Sequence, residues 1–243
     1  MIDFSKYEVY DTSKQQVIPF YKKNDIINNM RLPFGNMNNG FPINIKGINF
    51  ANVEIAYICG FFGNKDDKCI EIQKLLSCET NGMMAKRKYR KSEEYKIFGR
   101  KDFDESLWHY HWMLYLVWTK CTQNKEFSDL LLSLPKDCII VENEPRKGDY
   151  PIWGCINKEL NKICYENSKY LKQISTLTQT ERKRLEDFYR LENYNCGIWK
   201  GYNSMGKILM ECRDSLLTNR QPHIDTHLLN NAQIYWFGEV LIF

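Results

Sequence analysis

The stretch DESLWHYHWMLYLVWTK, Asp104 to Lys120, is apolar on nearly every face once wound into a helix, a surface that only a helix enclosed by other elements can carry. It predicts a central buried helix with Asp104 as its N-cap. Phe127, Leu130, Leu131 and Leu134 follow at i, i+3, i+4 and i+7, a second amphipathic helix that Pro135 stops. Further on, Asn203 to Leu217 sets Met205, Ile208, Leu209, Cys212 and Leu216 on one stripe. Helices of this kind make the expected fold class mainly α, an α+β domain whose β element is small and N-terminal.

That β element begins with VIPFY, residues 17 to 21, and the stretch from Asp25 to Gly40 has the Asn, Gly and Pro content of an ordered loop. Alternation in Phe41, Ile43 and Ile45 ending at Gly47 predicts a hairpin. Asn52 then caps a helix carrying Val53, Ala56 and Tyr57, which puts Glu54 in its first turn. Residues 1–16 read as a polar lead-in and 17–217 as the domain. Residues 155–196 look like an insertion with a charged helix near TERKRLEDFYRL (180–191), and 218–243 like a C-terminal extension packed on the domain.

Composition narrows the function classes. A 43% hydrophobic chain of 243 residues can bury a sizeable core, and a net charge of +4 permits nucleotide or nucleic-acid contact without demanding it. The densest basic run, KRKYRK at Lys86 to Lys91, reads on its own as a solvated helix end. Nine cysteines, odd in number and without a CxxC pair, point to reduced thiols. With no leader pattern and no apolar run near the roughly 20 residues of a membrane span, a soluble cytoplasmic protein is expected, with no membrane contact.

The chemistry-bearing feature is GYNSMG, Gly201 to Gly206. Glycine admits close backbone approach, Asn203 or Ser204 can cap the following helix, and a helix N-terminus favours phosphate. Metal binding is not expected: His109 and His111, two apart on a helix, face different ways, and His223 with His227 lacks a third ligand.

Several blocks, in order across residues 20 to 213, resemble the NADAR family. Phe34-Gly35-Asn36-Met37 with Phe41 is similar to its GNM loop, and Gly47, Val53, Glu54 and Tyr57 to its glutamate-bearing helix start. Met83, Ala85, Lys86 and Lys88 resemble its AK segment, and Arg100-Lys101-Asp102-Phe103-Asp104 its RPDWD. Met113, Lys120, Gln123 and Asn124 resemble its M…KFxQN helix, Glu142, Asp149, Trp153 and Gly154 its E…D…WG. Gly201, Asn203, Gly206, Leu209, Met210 and Arg213 match GxNxLGxxLMxxR. The chain departs at Ile58, Phe103 and Cys121, where the family has Gln, Trp and Phe, and in the long stretch between Gly154 and Gly201.

The resemblance implies NAD- and ADP-ribose-linked N-glycosidase chemistry without a cofactor. The GNM loop and lysine-rich segment look more like the branch that removes ADP-ribose from guanine in DNA, as antitoxin to a DNA ADP-ribosyltransferase. Alternatives are a glycosidase of riboflavin-pathway intermediates and a non-catalytic ADP-ribose-binding module. Cleaving a ribose C1–N bond builds oxocarbenium charge, which a carboxylate beside C1 stabilises. Glu54 is the first candidate, with a helix-capping carboxylate as its alternative role; Asp102 is the second. Lys22, at a strand end, could attack the opened ribose as a Schiff base. Trp153 is expected to stack on the base. Gly201, Asn203 and Gly206 would cradle phosphates with Lys86 or Lys88 as counter-charges, and Asn36, Met37, Tyr57 and Gly154 complete the expected ligand contacts. One cleft is expected to gather Asn36, Glu54, Trp153 and Asn203. The substrate is an ADP-ribose-bearing molecule, with oligomeric state left open.

Overall fold

The enclosed helix runs from Trp108 to Gln123, with Trp112, Leu114, Leu116 and Val117 wholly shielded. It starts later than the sequence suggests. Asp104 is no N-cap; its carboxylate pairs with Arg90, and Leu107 occupies the cap position without a side-chain bond. This computed structural model describes residues 2–22, 25–145 and 148–243. Helix outweighs strand, 45% to 14%, in a mixed α+β architecture. The chain forms two compact units, one chiefly of Phe34–Leu131 and Glu211–Phe243, the other of Asp3–Pro33 and Leu132–Met210.

In the first unit the Trp108–Gln123 helix packs on Val53–Phe61, and the contact is so close that a Cβ on Gly60 would sit 2.3 Å from Trp112 Nε1. The expected hairpin is present: Ile43–Ile45 pairs antiparallel with Ile48–Phe50 through a turn in which Lys46 and Gly47 both have positive φ. The C-terminal segment closes this core. Trp236 lies edge-on to Trp112 (5.5 Å) and near Phe50 (5.3 Å). The Gln73 carboxamide secures it, donating to Tyr235 O (2.8 Å) and accepting from Phe237 N–H (2.7 Å).

The second unit holds most of the strand. Val17–Phe20 runs parallel to Ile139–Glu142, and Ile198–Gly201 lies between Glu8–Asp11 and Ile156–Asn157, antiparallel to both. Strand is thus not confined to the N-terminal part, and residues 8–11 of the lead-in form a sheet edge. Tyr10, Val17, Val141, Cys155, Leu160 and Trp199 build the core. The 155–196 segment contains two helices, Lys158–Gln173 and Gln179–Glu192, the second opened by a Thr178–Glu181 capping box. All nine cysteines are free. No helix among the described residues is long and apolar enough to cross a membrane.

One charge in the first unit is out of place. Lys120 is 1% exposed, lies 4.1 Å from the Phe127 ring centre and makes no ion pair among the described residues; desolvation pushes its pKa down to about 8. The folded state carries the cost of that ammonium in full below pH 8 and sheds it as pH rises toward the ordinary value of 10.5. Lys120→Met is therefore expected to raise stability at pH 7 by on the order of 1–3 kcal/mol, a gain that shrinks between pH 8 and 10.5. Urea unfolding across that range checks it; equal stabilities at pH 7 would show the charge is compensated.

Candidate functional site

Three segments of the first unit converge on Glu54. Its N–H donates to Asn36 O (3.0 Å), tying the helix start to the Gly-Asn-Met loop. Asn52 caps the same helix through Ile55 N–H (3.2 Å) and donates to Asn39 Oδ1 (2.7 Å). Gly82 opens a helical turn, capped by Asn81, that lies against both; a Cβ there would meet Asn52 Oδ1 at 2.9 Å and Glu54 Cβ and Met37 Cγ at 3.2 Å. The chain then forms a π-helical turn, Lys86–Arg90, with Lys91 N–H bonded to Lys86 O (3.1 Å). This wider turn starts at Lys86, whose Nζ stands 2.9 Å from Glu54 Oε1 but off the line of a hydrogen bond. Glu54 is 5% exposed, so its carboxylate is buried with one countercharge and an oxygen free to take another donor.

The far end of the π turn supplies a second cation that sequence reasoning missed. The Arg90 guanidinium lies 5.2 Å from the Phe103 ring centre, 5.4 Å from Tyr57 and 5.5 Å from Phe61, and pairs with Asp104. Tyr57, one turn beyond Glu54, is buried, which pushes its phenol pKa well up against the pull of Arg90. His109 stacks beside Phe103 (5.8 Å), and burial lowers its pKa to about 4. Asn36 Nδ2 reaches Met113 Sδ at 3.4 Å.

Other expected residues of this unit are committed elsewhere. Asp102 receives Arg100 at 2.9 and 2.7 Å and Trp108 Nε1 at 3.1 Å; the Arg100 guanidinium holds its carboxyl below the usual range. It braces the turn before the buried helix. Lys88 faces Glu79 at 3.4 Å, so Lys86 alone of the two meets Glu54. His111 Nδ1 accepts from Asp225 N–H (3.1 Å), and His223 meets Glu211 (2.9 Å).

In the second unit the GYNSMG segment is filled by the protein itself. Tyr202, Asn203, Ser204 and Met205 N–H donate to the carbonyls of Pro151, Gly154, Ile152 and Trp153, at 2.8 to 3.2 Å. Two amides at the start of the following helix, those of Ser204 and Met205, are thus already used. A Cβ on Gly201 would stand 2.2 Å from Gly154 O, one on Gly206 2.1 Å from Ile140 O, and one on Gly154 2.1 Å from Glu142 O. Asn203 is fully buried at φ 51°, and its Nδ2 donates to Ile140 O (2.9 Å). Its carbonyl takes the first helical N–H, from Lys207 (2.9 Å), but its Oδ1 makes no capping bond, and its backbone turns the chain left-handed. Close backbone packing accounts for the missing Cβ atoms at Gly154, Gly201 and Gly206. Trp153 is half-buried beside them. Lys22 Nζ is ion-paired with Asp187 of the Gln179–Glu192 helix, so attack on a sugar would first break that pair.

The fold is similar to that of YbiA. The solution NMR structure of this E. coli protein aligns with a TM-score of 0.50 and 17% identity, covering 86% of this chain and 91% of YbiA. No protein-family model matches the chain, and no curated protein matches it in sequence. At this identity the likeness shows the fold alone, which is NADAR-like. Asn36, Met37, Glu54, Tyr57 and Lys86 come together in one unit; Trp153, Gly154, Gly201, Asn203 and Gly206 assemble in the other.

Two measurements follow. Gly206→Ala should destabilise the ligand-free protein by more than about 2 kcal/mol, because backbone carbonyl cannot yield to the new methyl. Wild-type thermal stability in that variant would remove the packing explanation. For His109, the unfolded ring takes a proton near pH 6.5 and the folded one only near 4. Stability is complete above pH 6.5 and falls between 6.5 and 4, by up to about 3 kcal/mol, with His111 shifted in the same direction. His109→Gln should flatten the melting temperature against pH in that window; an unchanged slope assigns the loss to other groups.

Proposed function

We propose that the protein is an N-glycosidase that hydrolyses the bond between ADP-ribose and a base, with ADP-ribosylated guanine in DNA as substrate. The observation that carries the reading is the buried Glu54 carboxylate, presented from a helix first turn beside Lys86, in a NADAR-like fold. As the C1–N bond breaks, the electron pair leaves with the base and positive charge develops on the sugar. A carboxylate held in a site of low polarity stabilises that charge strongly, because no water must reorganise around it. Water then bonds to C1, its oxygen keeping one proton as the new hydroxyl while Glu54 relays the other to the departing base.

Lys86 offsets the buried charge before substrate arrives and can donate to a sugar hydroxyl or phosphate oxygen once it does. Asn36 and Met37 line the same corner, and Tyr57 stands behind Glu54. The Lys22–Asp187 ion pair favours Glu54 over a lysine nucleophile.

Glu54→Gln keeps the shape and removes the charge. It should lower ADP-ribose release from a modified guanine oligonucleotide by about 10²- to 10³-fold while leaving ADP-ribose affinity nearly unchanged. Mass analysis of products and calorimetric titration read the two quantities. A fully active Glu54→Gln beside an inactive Lys22→Ala would move the chemistry to the lysine. Release from riboflavin-pathway intermediates alone would change the substrate, and binding without release from any glycoside would leave a binding module.

A further inference from the structure

The helix that carries Glu54 needs only a short side chain with an oxygen acceptor at its cap, and Ser, Thr and Asp fill that role about as well as Asn. Asn52 does more than cap. Its Oδ1 takes the Ile55 N–H (3.2 Å), while its Nδ2 donates to Asn39 Oδ1 (2.7 Å) and to Thr80 O (3.5 Å). One wholly buried carboxamide therefore joins the helix start, the Gly-Asn-Met loop and the segment that leads into the Gly82 turn. An ionised Asp has no donor for the last two contacts, and Ser or Thr has a single short O–H.

Both members of the Glu54–Lys86 pair hang from these contacts. Glu54 lies just past Asn52, with its own N–H bonded to Asn36 O (3.0 Å) of the loop. Lys86 stands at the end of the Gly82–Ala85 turn, whose first N–H groups, those of Met83 and Met84, donate to Asn81 Oδ1 (3.1 Å each). Thr80 and Asn81 are thus the fixed end from which the lysine is aimed. Asn39 and Thr80 themselves lie at the surface and can turn to water if the carboxamide is lost. Stability has little to lose from those two bonds, and alignment has much.

We propose that Asn52 is a positioning residue, which holds Lys86 against Glu54 for the reaction. The inference rests on the glycosidase reading for what the pair does, so the pair is also read without turnover. The full chain is acetylated with acetic anhydride and Lys86 is followed by mass analysis, with the exposed Lys125 as reference. Asn52→Ser keeps a cap and removes the amide donor. Its Lys86 should react up to about fivefold faster relative to Lys125, the scale of one partly exposed ion pair, as it should in Glu54→Gln. The kcat for ADP-ribose release should fall about tenfold, with KM unchanged and a melting temperature close to wild type. Asn39→Ala should lower kcat part of the way and add nothing to Asn52→Ser. Asn52→Ala, which loses the cap as well, should melt about 2–4 °C lower. Wild-type Lys86 acetylation and kcat in Asn52→Ser overturn the inference and leave the glycosidase reading standing. A lower kcat matched by a lower melting temperature, with Lys86 acetylation unchanged, reduces Asn52 to a cap and overturns it too. Absence of release by wild type overturns the glycosidase reading, while faster Lys86 acetylation in Asn52→Ser would still show that Asn52 holds the pair.

Discussion

A carboxylate shielded from water needs a countercharge, and Glu54 sits in a helix whose nine residues are all buried. The first unit is organised around that requirement. Lys86 can reach Oε1 because Gly82 lets its helical turn lie flat against Asn52, Met37 and the Glu54 stem. The π turn that begins at Lys86 then brings Arg90 over Tyr57, Phe61 and Phe103, giving a second enclosed cation its own partner in Asp104. Such turns cost regular hydrogen bonding and recur where side chains must be aimed. Glu54, Lys86 and Arg90 are therefore one arrangement, in which shifting the turn by a residue would misplace both cations.

Much of this was legible in the sequence where a local rule governs. The buried helix could be read because no face of it is polar enough for water, and Glu54 was placed in a first turn because Asn52 is a competent cap. The same rule failed at Asp104, whose carboxylate is held by Arg90, a partner no local pattern reveals. Arg90 itself lay hidden in KRKYRK, since periodicity at about 3.6 residues cannot show a π turn. Glu8–Asp11 went unread as a strand because its partner, Ile198–Gly201, lies almost the whole chain away. Lys158–Gln173 buries only Leu160, Asn167 and Leu171, too sparse a stripe to stand out among its charges.

The glycine and asparagine spacing of GYNSMG carries a broader lesson. Its demands for missing Cβ atoms and a left-handed asparagine are met by the carbonyls of Gly154 and Ile140, all within one unit. A pattern of that kind identifies a backbone crossing, and it would persist whether or not any ligand binds. Resemblance built on it speaks to fold first, in keeping with a likeness to YbiA at 17% identity.

The Gln179–Glu192 helix also contributes Arg190, which is 9% exposed and clasps the 3% exposed Asp25 at 3.1 and 2.6 Å. Asp25 in turn accepts the N–H groups of Tyr21 and Lys22, at the end of a strand far earlier in the chain. Excising the segment would strand that carboxylate in the interior and release Lys22 from Asp187 together. The segment thus behaves as a keystone: a far earlier part of the chain relies on it to hold a buried charge.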